Sequence, residues 1–180
     1  MLGLNGTRLS LTDFNITNFP EIPEGITELY CNCLKTITKI PKLPNSLINL
    51  CCIDSNLNEL PEFNEGLRYL TIMRTNITKL PKLPSTLYSF SIEGNISELP
   101  ELPIQLKYLL VSRTNIRILP QLSNLLCITE IDNSNLIVKR KFGESIIDYE
   151  NRWIPIRIIE KRKEAFERRK HLISFYYDSR

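Results

Sequence analysis

In residues 67–84, LRYLTIMRTNITKLPKLP, the apolar side chains fall at Leu67, Leu70, Ile72, Ile77, Leu80 and Leu83. This spacing fits neither a helical stripe nor a plain alternating strand. It predicts a short strand, Leu70-x-Ile72, then a turn, then an extended return through Pro81 and Pro84. The pattern recurs upstream and downstream as NITNFPEIP from Asn15, TITKIPKLP from Thr36, NLNELPEFN from Asn56, NITKLPKLP from Asn76, NISELPELP from Asn95 and NIRILPQLS from Asn115. A worn copy, NLIVKR, starts at Asn135, and the steps between copies are 21, 20, 20, 19, 20 and 20 residues.

A period near twenty residues with L-x-x-L-x-L strands predicts a leucine-rich repeat solenoid. Its parallel β-sheet lines the concave face, and extended, polyproline-like segments form the convex face. Ten of the eleven prolines lie in the motif. Proline fixes φ and lacks a donor, so its column belongs away from the sheet ladder. The predicted inward columns are Leu9/Leu29/Leu50/Leu70/Phe90/Leu109 and Leu11/Cys31/Cys52/Ile72/Ile92/Val111, with Ile131 continuing the second. In the decayed last coil Thr129 stands where a strand leucine is expected.

The phrase LP-x-LP-x-x-L-x-x-L resembles the short leucine-rich repeats of bacterial effectors, the Yersinia outer-protein-M and Shigella invasion-plasmid-antigen-H types, over roughly residues 8–138. The resemblance implies very short coils with one strand each, and protein recognition inside a host cell. It departs at one position. The family carries Asn three residues after the last strand leucine, where this chain has Ser55, Thr75, Thr114 and Ser134, with Asn one residue later. Hydroxyls are expected to take over part of the asparagine ladder. The Asn-, Ile- and Lys-rich wording also resembles repeat proteins of large amoeba-infecting DNA viruses.

Between the inward columns, Tyr30, Cys51, Ile53, Tyr69, Met73, Tyr108 and Leu110 are predicted to face solvent on the concave sheet, with Asp54, Arg74, Glu93 and Arg113 at its margin. Tyr30, Cys51, Ile53, Tyr69, Met73, Arg74, Tyr108, Leu110 and Arg113 are therefore the candidate protein-binding residues, because Tyr, Met and Arg are enriched in interfaces. The competing reading is that cross-strand aromatic pairs only support a short sheet.

The chain of 180 residues has a net charge of +3. Residues 1–138 hold eleven basic and thirteen acidic residues, and residues 139–180 hold twelve and seven. A mildly acidic solenoid is thus followed by a basic tail. Pro155 can open an α-helix near Ile156, with Ile158/Ile159, Ala165/Phe166 and Leu172/Ile173 on one stripe. The tail is expected to cap the last coil. Its basic clusters also fit nucleic acid, an anionic membrane surface, a calmodulin-like groove or a nuclear address.

No apolar run is long enough for a membrane span. The start, MLGLNGTRLS, lacks the layout of a secretory signal, so an intracellular location is expected: cytoplasmic, or host cell or virion if viral. The sequons at Asn5, Asn15, Asn76 and Asn95 then read as repeat wording. Five cysteines, an odd number, fit a reduced compartment. Cys31 and Cys52 read as small core residues, and Cys51 points the other way, so these thiols do not converge as a zinc site requires.

Catalysis finds little support. There is one histidine, His171, and no phosphate-cradling glycine loop. About forty residues follow the array, too few for the separate catalytic domain of the ligase-type relatives. No cofactor is expected. The leading expectation is a non-catalytic module that holds a protein partner on its concave face. The alternatives are a structural or assembly component, such as part of a virus particle, or a nucleic-acid-associated adaptor acting through the tail. Gly3, Asn5 and Gly6 suggest a loose lead-in, leaving an unpaired strand edge through which copies could self-associate.

Overall fold

The computed structural model describes residues 3–12, 16–117, 119–120 and 127–132. Phe14, Ser134, the worn copy at Asn135 and the expected helix and tail of residues 139–180 lie outside the described residues. All described residues fall within one unit, residues 1–139.

Each repeat contributes one strand. The order is β1 (Gly3–Asn5), β2 (Arg8–Thr12), β3 (Glu28–Asn32), β4 (Asn49–Ile53), β5 (Tyr69–Thr75), β6 (Ser89–Gly94), β7 (Tyr108–Ser112) and β8 (Cys127–Asp132). They form one sheet in chain order, with β2 to β8 parallel. Parallel neighbours in strict sequence order require every connection to leave the sheet and return one strand further on. That is a solenoid of stacked coils.

Alternation along the strands sets the core. Both predicted inward columns are buried in every coil from Leu9 to Val111, at no more than 2% exposure. A third column enters just before each strand through Ile26, Leu47, Leu67, Leu87 and Leu106, and a fourth after the turn through Leu57, Ile77, Ile96 and Ile116. Each buried leucine contributes about 1.5–3 kcal/mol by leaving water.

At the ends of β3, β4, β5 and β7 the chain turns through a residue with positive φ: Cys33 (59°), Asp54 (55°), Arg74 (50°) and Arg113 (46°). This left-handed region is costly for side chains other than Gly, Asn or Asp. It sends the next residue inward, burying Ser55, Thr75 and Thr114 at 2%, 7% and 2% exposure. The Ser55 hydroxyl donates to the Cys31 carbonyl at 2.7 Å and accepts the Leu34 N–H at 3.2 Å. A hydroxyl thus links the turns of two coils, as the departure from the asparagine pattern leads one to expect. The 19-residue step has its cause here. Gly94 pairs with Thr75, so β6 turns with one residue fewer, at a φ of 141° that only glycine tolerates well.

Two expectations need correction. The lead-in is not loose: β1 pairs antiparallel with β2 through a two-residue Gly6–Thr7 loop, with Gly6 at φ 61°. A positive φ at that position suits the primed turns whose twist matches a hairpin. The edge of β2 is therefore filled by β1, three residues long among the described residues, and very short edge strands are a common way of blunting edge-to-edge pairing. At the other end, Ile128 rather than Thr129 pairs with Leu109, and the register then shifts so that Glu130 meets Leu110. Thr129 is the extra residue of that irregularity, and Ile131 pairs with Val111 as expected.

Candidate protein-binding surface

The same alternation that buries the leucines sends their neighbours to the opposite face of the sheet. Tyr30 lies beside Cys51, Ile53 beside Met73, Tyr69 beside Ser89 and then Tyr108, and Leu110 beside Ser91. Arg74 is exposed near the end of β5, and Arg113 is exposed in the turn after β7. All nine candidate residues therefore share one sheet face or its margin. Tyr69 and Tyr108 are 43% and 41% exposed, and Tyr30, Cys51, Ile53, Met73 and Leu110 are half-buried.

Three zones divide this surface. At the first coils, Arg8 sends Nε and Nη2 to one oxygen of Glu28, at 3.0 and 2.7 Å. The Tyr30 hydroxyl donates to the same oxygen at 2.9 Å, and the Arg8 guanidinium lies 4.9 Å from the Tyr30 ring centroid. Hydrogen bonds from Arg8 and then Tyr30 hold the Glu28 carboxyl below its usual range. Burial, followed by the bond to Glu28, pushes the Tyr30 phenol up.

Where the strands end, charges of alternating sign run across the coils. Arg74 grips Asp54 with two bonds, Nε–Oδ1 at 2.6 Å and Nη2–Oδ2 at 2.9 Å. Glu93 lies 3.6 Å from Arg74 and 3.3 Å from Arg113. The Arg74 hydrogen bonds keep Asp54 ionised below the ordinary aspartate range.

Where the strands begin, three tyrosines form a ladder. Tyr88 stands edge-on to Tyr69 (centroids 6.1 Å apart, 69° between planes) and to Tyr108 (5.3 Å, 62°), near the offset geometry aromatic quadrupoles prefer. Tyr88 is 38% exposed and was not among the candidate residues. Simple alternation would point it inward, because Phe90 two residues on is buried. Leu87 already fills the core just before the strand, so the chain turns there and releases Tyr88 to the surface. The available signal was its place in the repeat, shared with Ile48, Arg68 and Lys107. Arg8, Glu28 and Asn49 were also missed.

The thiols are arranged as expected. Cys52 is buried beside Cys31, and Cys51 faces the concave side, 3.9 Å from Asn32 Oδ1. Burial, with a smaller effect of Cys52, pushes the Cys51 thiol up to about 11. The Cys31 hydrogen bond and burial raise Cys52 well above its ordinary value. Both shifts favour the neutral thiol over the thiolate that acts as a nucleophile. Among the described residues no group of three or more His, Cys, Asp and Glu side chains could hold a metal ion, and no helix is long and apolar enough to cross a membrane. What the surface offers is apolar and aromatic contact framed by oriented charge.

No protein-family model matches the chain, and comparison with curated proteins gives no significant match. Solved structures do match. YopM from Yersinia enterocolitica WA-314 is 28% identical with a TM-score of 0.62, over 66% of this chain and 27% of that one. The leucine-rich repeat domain of a Shigella effector is 31% identical with a TM-score of 0.58, over 65% of this chain and 54% of that domain. The chain thus spans about a quarter of the YopM chain and about half of the Shigella domain. Its repeats form a leucine-rich repeat solenoid similar to those of bacterial effectors.

Proposed function

We propose that this bacterial-effector-like leucine-rich repeat solenoid is a non-catalytic recognition module that holds a protein partner on its concave sheet. Residues 1–138 form the module, and residues 139–180 are a basic appendage to it. The observation that carries this reading is the exposed ladder Tyr69–Tyr88–Tyr108, next to half-buried Ile53, Met73 and Leu110 and bordered by ion pairs. A sheet face needing only solvation has no use for such side chains, and a partially apolar surface with a charged rim is what interfaces present. The solenoids of YopM and the Shigella effector domain support a protein ligand by analogy of fold. The free thiols of Cys31, Cys51 and Cys52, with an odd number of cysteines in the chain, favour a reducing compartment inside a cell.

Replacing Tyr69 and Tyr108 together by Ala tests the reading. Aromatic anchors at interfaces are worth about 2 kcal/mol or more, so capture of partners from a cell extract should fall by more than tenfold. The melting curve should be nearly unchanged, and Lys42→Ala with Lys82→Ala on the convex side should capture as well as the parent. Equal capture of the same partners by the tyrosine variant would move the recognition surface elsewhere.

A further inference from the structure

The exposed positions have a period of their own, two coils long. Lys39, Glu59, Lys79 and Glu98 hold one convex position in successive coils, and Glu21, Lys42, Glu62, Lys82 and Glu101 hold the position three residues on. The sign reverses at every coil, and Lys39 meets Glu59 at 2.6 Å. The concave edge keeps the same parity. Leu67-Arg68-Tyr69-Leu70 returns two coils later as Leu106-Lys107-Tyr108-Leu109, with Leu87-Tyr88-Ser89-Phe90 between them. The backbone stacks these positions directly. The Arg68 carbonyl accepts Tyr88 and Ser89 N–H groups at 2.8 and 3.0 Å, and the Tyr88 carbonyl accepts those of Lys107 and Tyr108 at 2.9 and 3.2 Å. Arg8, Arg74 and Arg113 are each paired with a carboxylate, but Arg68 and Lys107 have no ion-pair partner among the described residues.

We propose that the edge formed by Arg68, Tyr69, Tyr88, Lys107 and Tyr108 binds an extended acidic peptide in the polyproline II conformation, lying across the strands. This deepens the concave-face reading and rests on it. Neighbouring strands lie about 4.8 Å apart, so Arg68 and Lys107, two strands apart, are spaced by roughly 9.6 Å. A polyproline II helix rises about 3.1 Å per residue with three residues per turn, so one side repeats about every 9.3 Å. Carboxylates at peptide positions i and i+3 therefore fall over Arg68 and Lys107 in register. The side chains of a β-strand on one face recur about every 6.6 Å and miss that spacing. Proline rings between the carboxylates meet the tyrosine ladder, as polyproline ligands meet aromatic-lined grooves elsewhere. The cations set direction and register, and the tyrosines supply the contact area.

The test uses the full chain and two labelled peptides of equal composition, followed by fluorescence anisotropy. One has Glu residues three apart with Pro-Pro between them, and the other has the Glu residues adjacent. The spaced peptide should bind about tenfold more tightly. Arg68→Ala and Lys107→Ala should each weaken it by roughly 1.5-fold to fivefold, the range of an exposed ion pair. Arg68→Lys should keep more of the affinity than Arg68→Ala, Tyr88→Ala should bind weakly, and Lys42→Ala on the convex side should bind like the parent. Equal binding of the two isomers, no binding of either, or indifference to Arg68→Ala and Lys107→Ala overturns the proposal. So does tighter binding of oligodeoxythymidine or of a helical peptide with carboxylates seven residues apart. If the Tyr69/Tyr108 variant loses its partners while neither peptide is preferred, the concave-face reading stands and only the peptide assignment falls.

Discussion

Adjacent positions on the same strands obey different rules. Leu9, Leu29, Leu50, Leu70, Phe90 and Leu109 form one inward column, all at most 2% exposed. One residue earlier in the same register stand Arg8, Glu28, Asn49, Tyr69, Ser89 and Tyr108, which share no single chemistry. Every inward position meets the same surroundings, a coil above and a coil below, so packing dictates what it holds. An outward position meets solvent or a ligand, so stacking leaves it open. Variation within an outward column is therefore where function is written, and uniformity within an inward one is where the fold is written.

The sharpest way to break this contrast is to truncate two neighbours in sequence. Leu70→Ala opens a cavity between coils and should cost about 2–5 kcal/mol, whereas Tyr69→Ala, on the exposed side, should stay within roughly 0.5 kcal/mol of the parent. Solenoid stability is close to a sum of nearest-neighbour interfaces, so the loss at a central coil should also broaden or split the urea transition. An unchanged midpoint for Leu70→Ala would remove the inward column from the core.

A smaller effect is expected where an inward position is polar. Ser55 has two buried bonds, to the Cys31 carbonyl and from the Leu34 N–H. Ser55→Ala takes these two bonds from the Leu34 N–H and the Cys31 carbonyl, which should cost about 1–3 kcal/mol. Hydrogen exchange at the Leu34 amide should accelerate along with the loss of stability. Full stability and unaltered exchange would mean that these backbone groups find other partners and that the hydroxyl is not a structural link.

The inward half of the molecule could be read from the chain because a twenty-residue period and strand alternation determine it residue by residue. The 19-residue step could be counted in the sequence, but its cause, the turn shortened at Gly94, shows only in the register of β5 on β6. The outward half was legible as a set of faces but not as contacts. Arg8, Glu28 and Tyr30 become neighbours only through the register of β2 on β3. Tyr88 escaped because the corner at Leu87 overrides alternation. The hairpin of β1 escaped because Leu2-x-Leu4 is too short a pattern to announce a strand beside Gly3 and Gly6, and only the pairing of Leu4 with Leu9 reveals it.

The smallest expected effect sharpens the outward side of the contrast, because it concerns charge without burial. Asp54 is held below its ordinary pKa chiefly by the Arg74 hydrogen bonds. A carboxyl depressed in the folded state contributes stability at pH values above its unfolded pKa, near 4, and loses it as pH falls through the lower folded value. Glu28 and Glu65, lowered by Arg8 and by Ser85, act in the same direction. Arg74→Ala should return Asp54 towards its unfolded value, so the variant's urea midpoint should lie slightly below the parent's at pH 7. The gap should close as pH falls below about 4, because protonated Asp54 no longer gains from Arg74. It should also narrow in high salt, since the pair is exposed and screened. Carboxyl carbon NMR of Asp54 would show its midpoint moving up in the variant. A midpoint gap that stays constant from pH 7 to pH 3 would mean that Arg74 acts through its left-handed backbone at φ 50° and not through its charge.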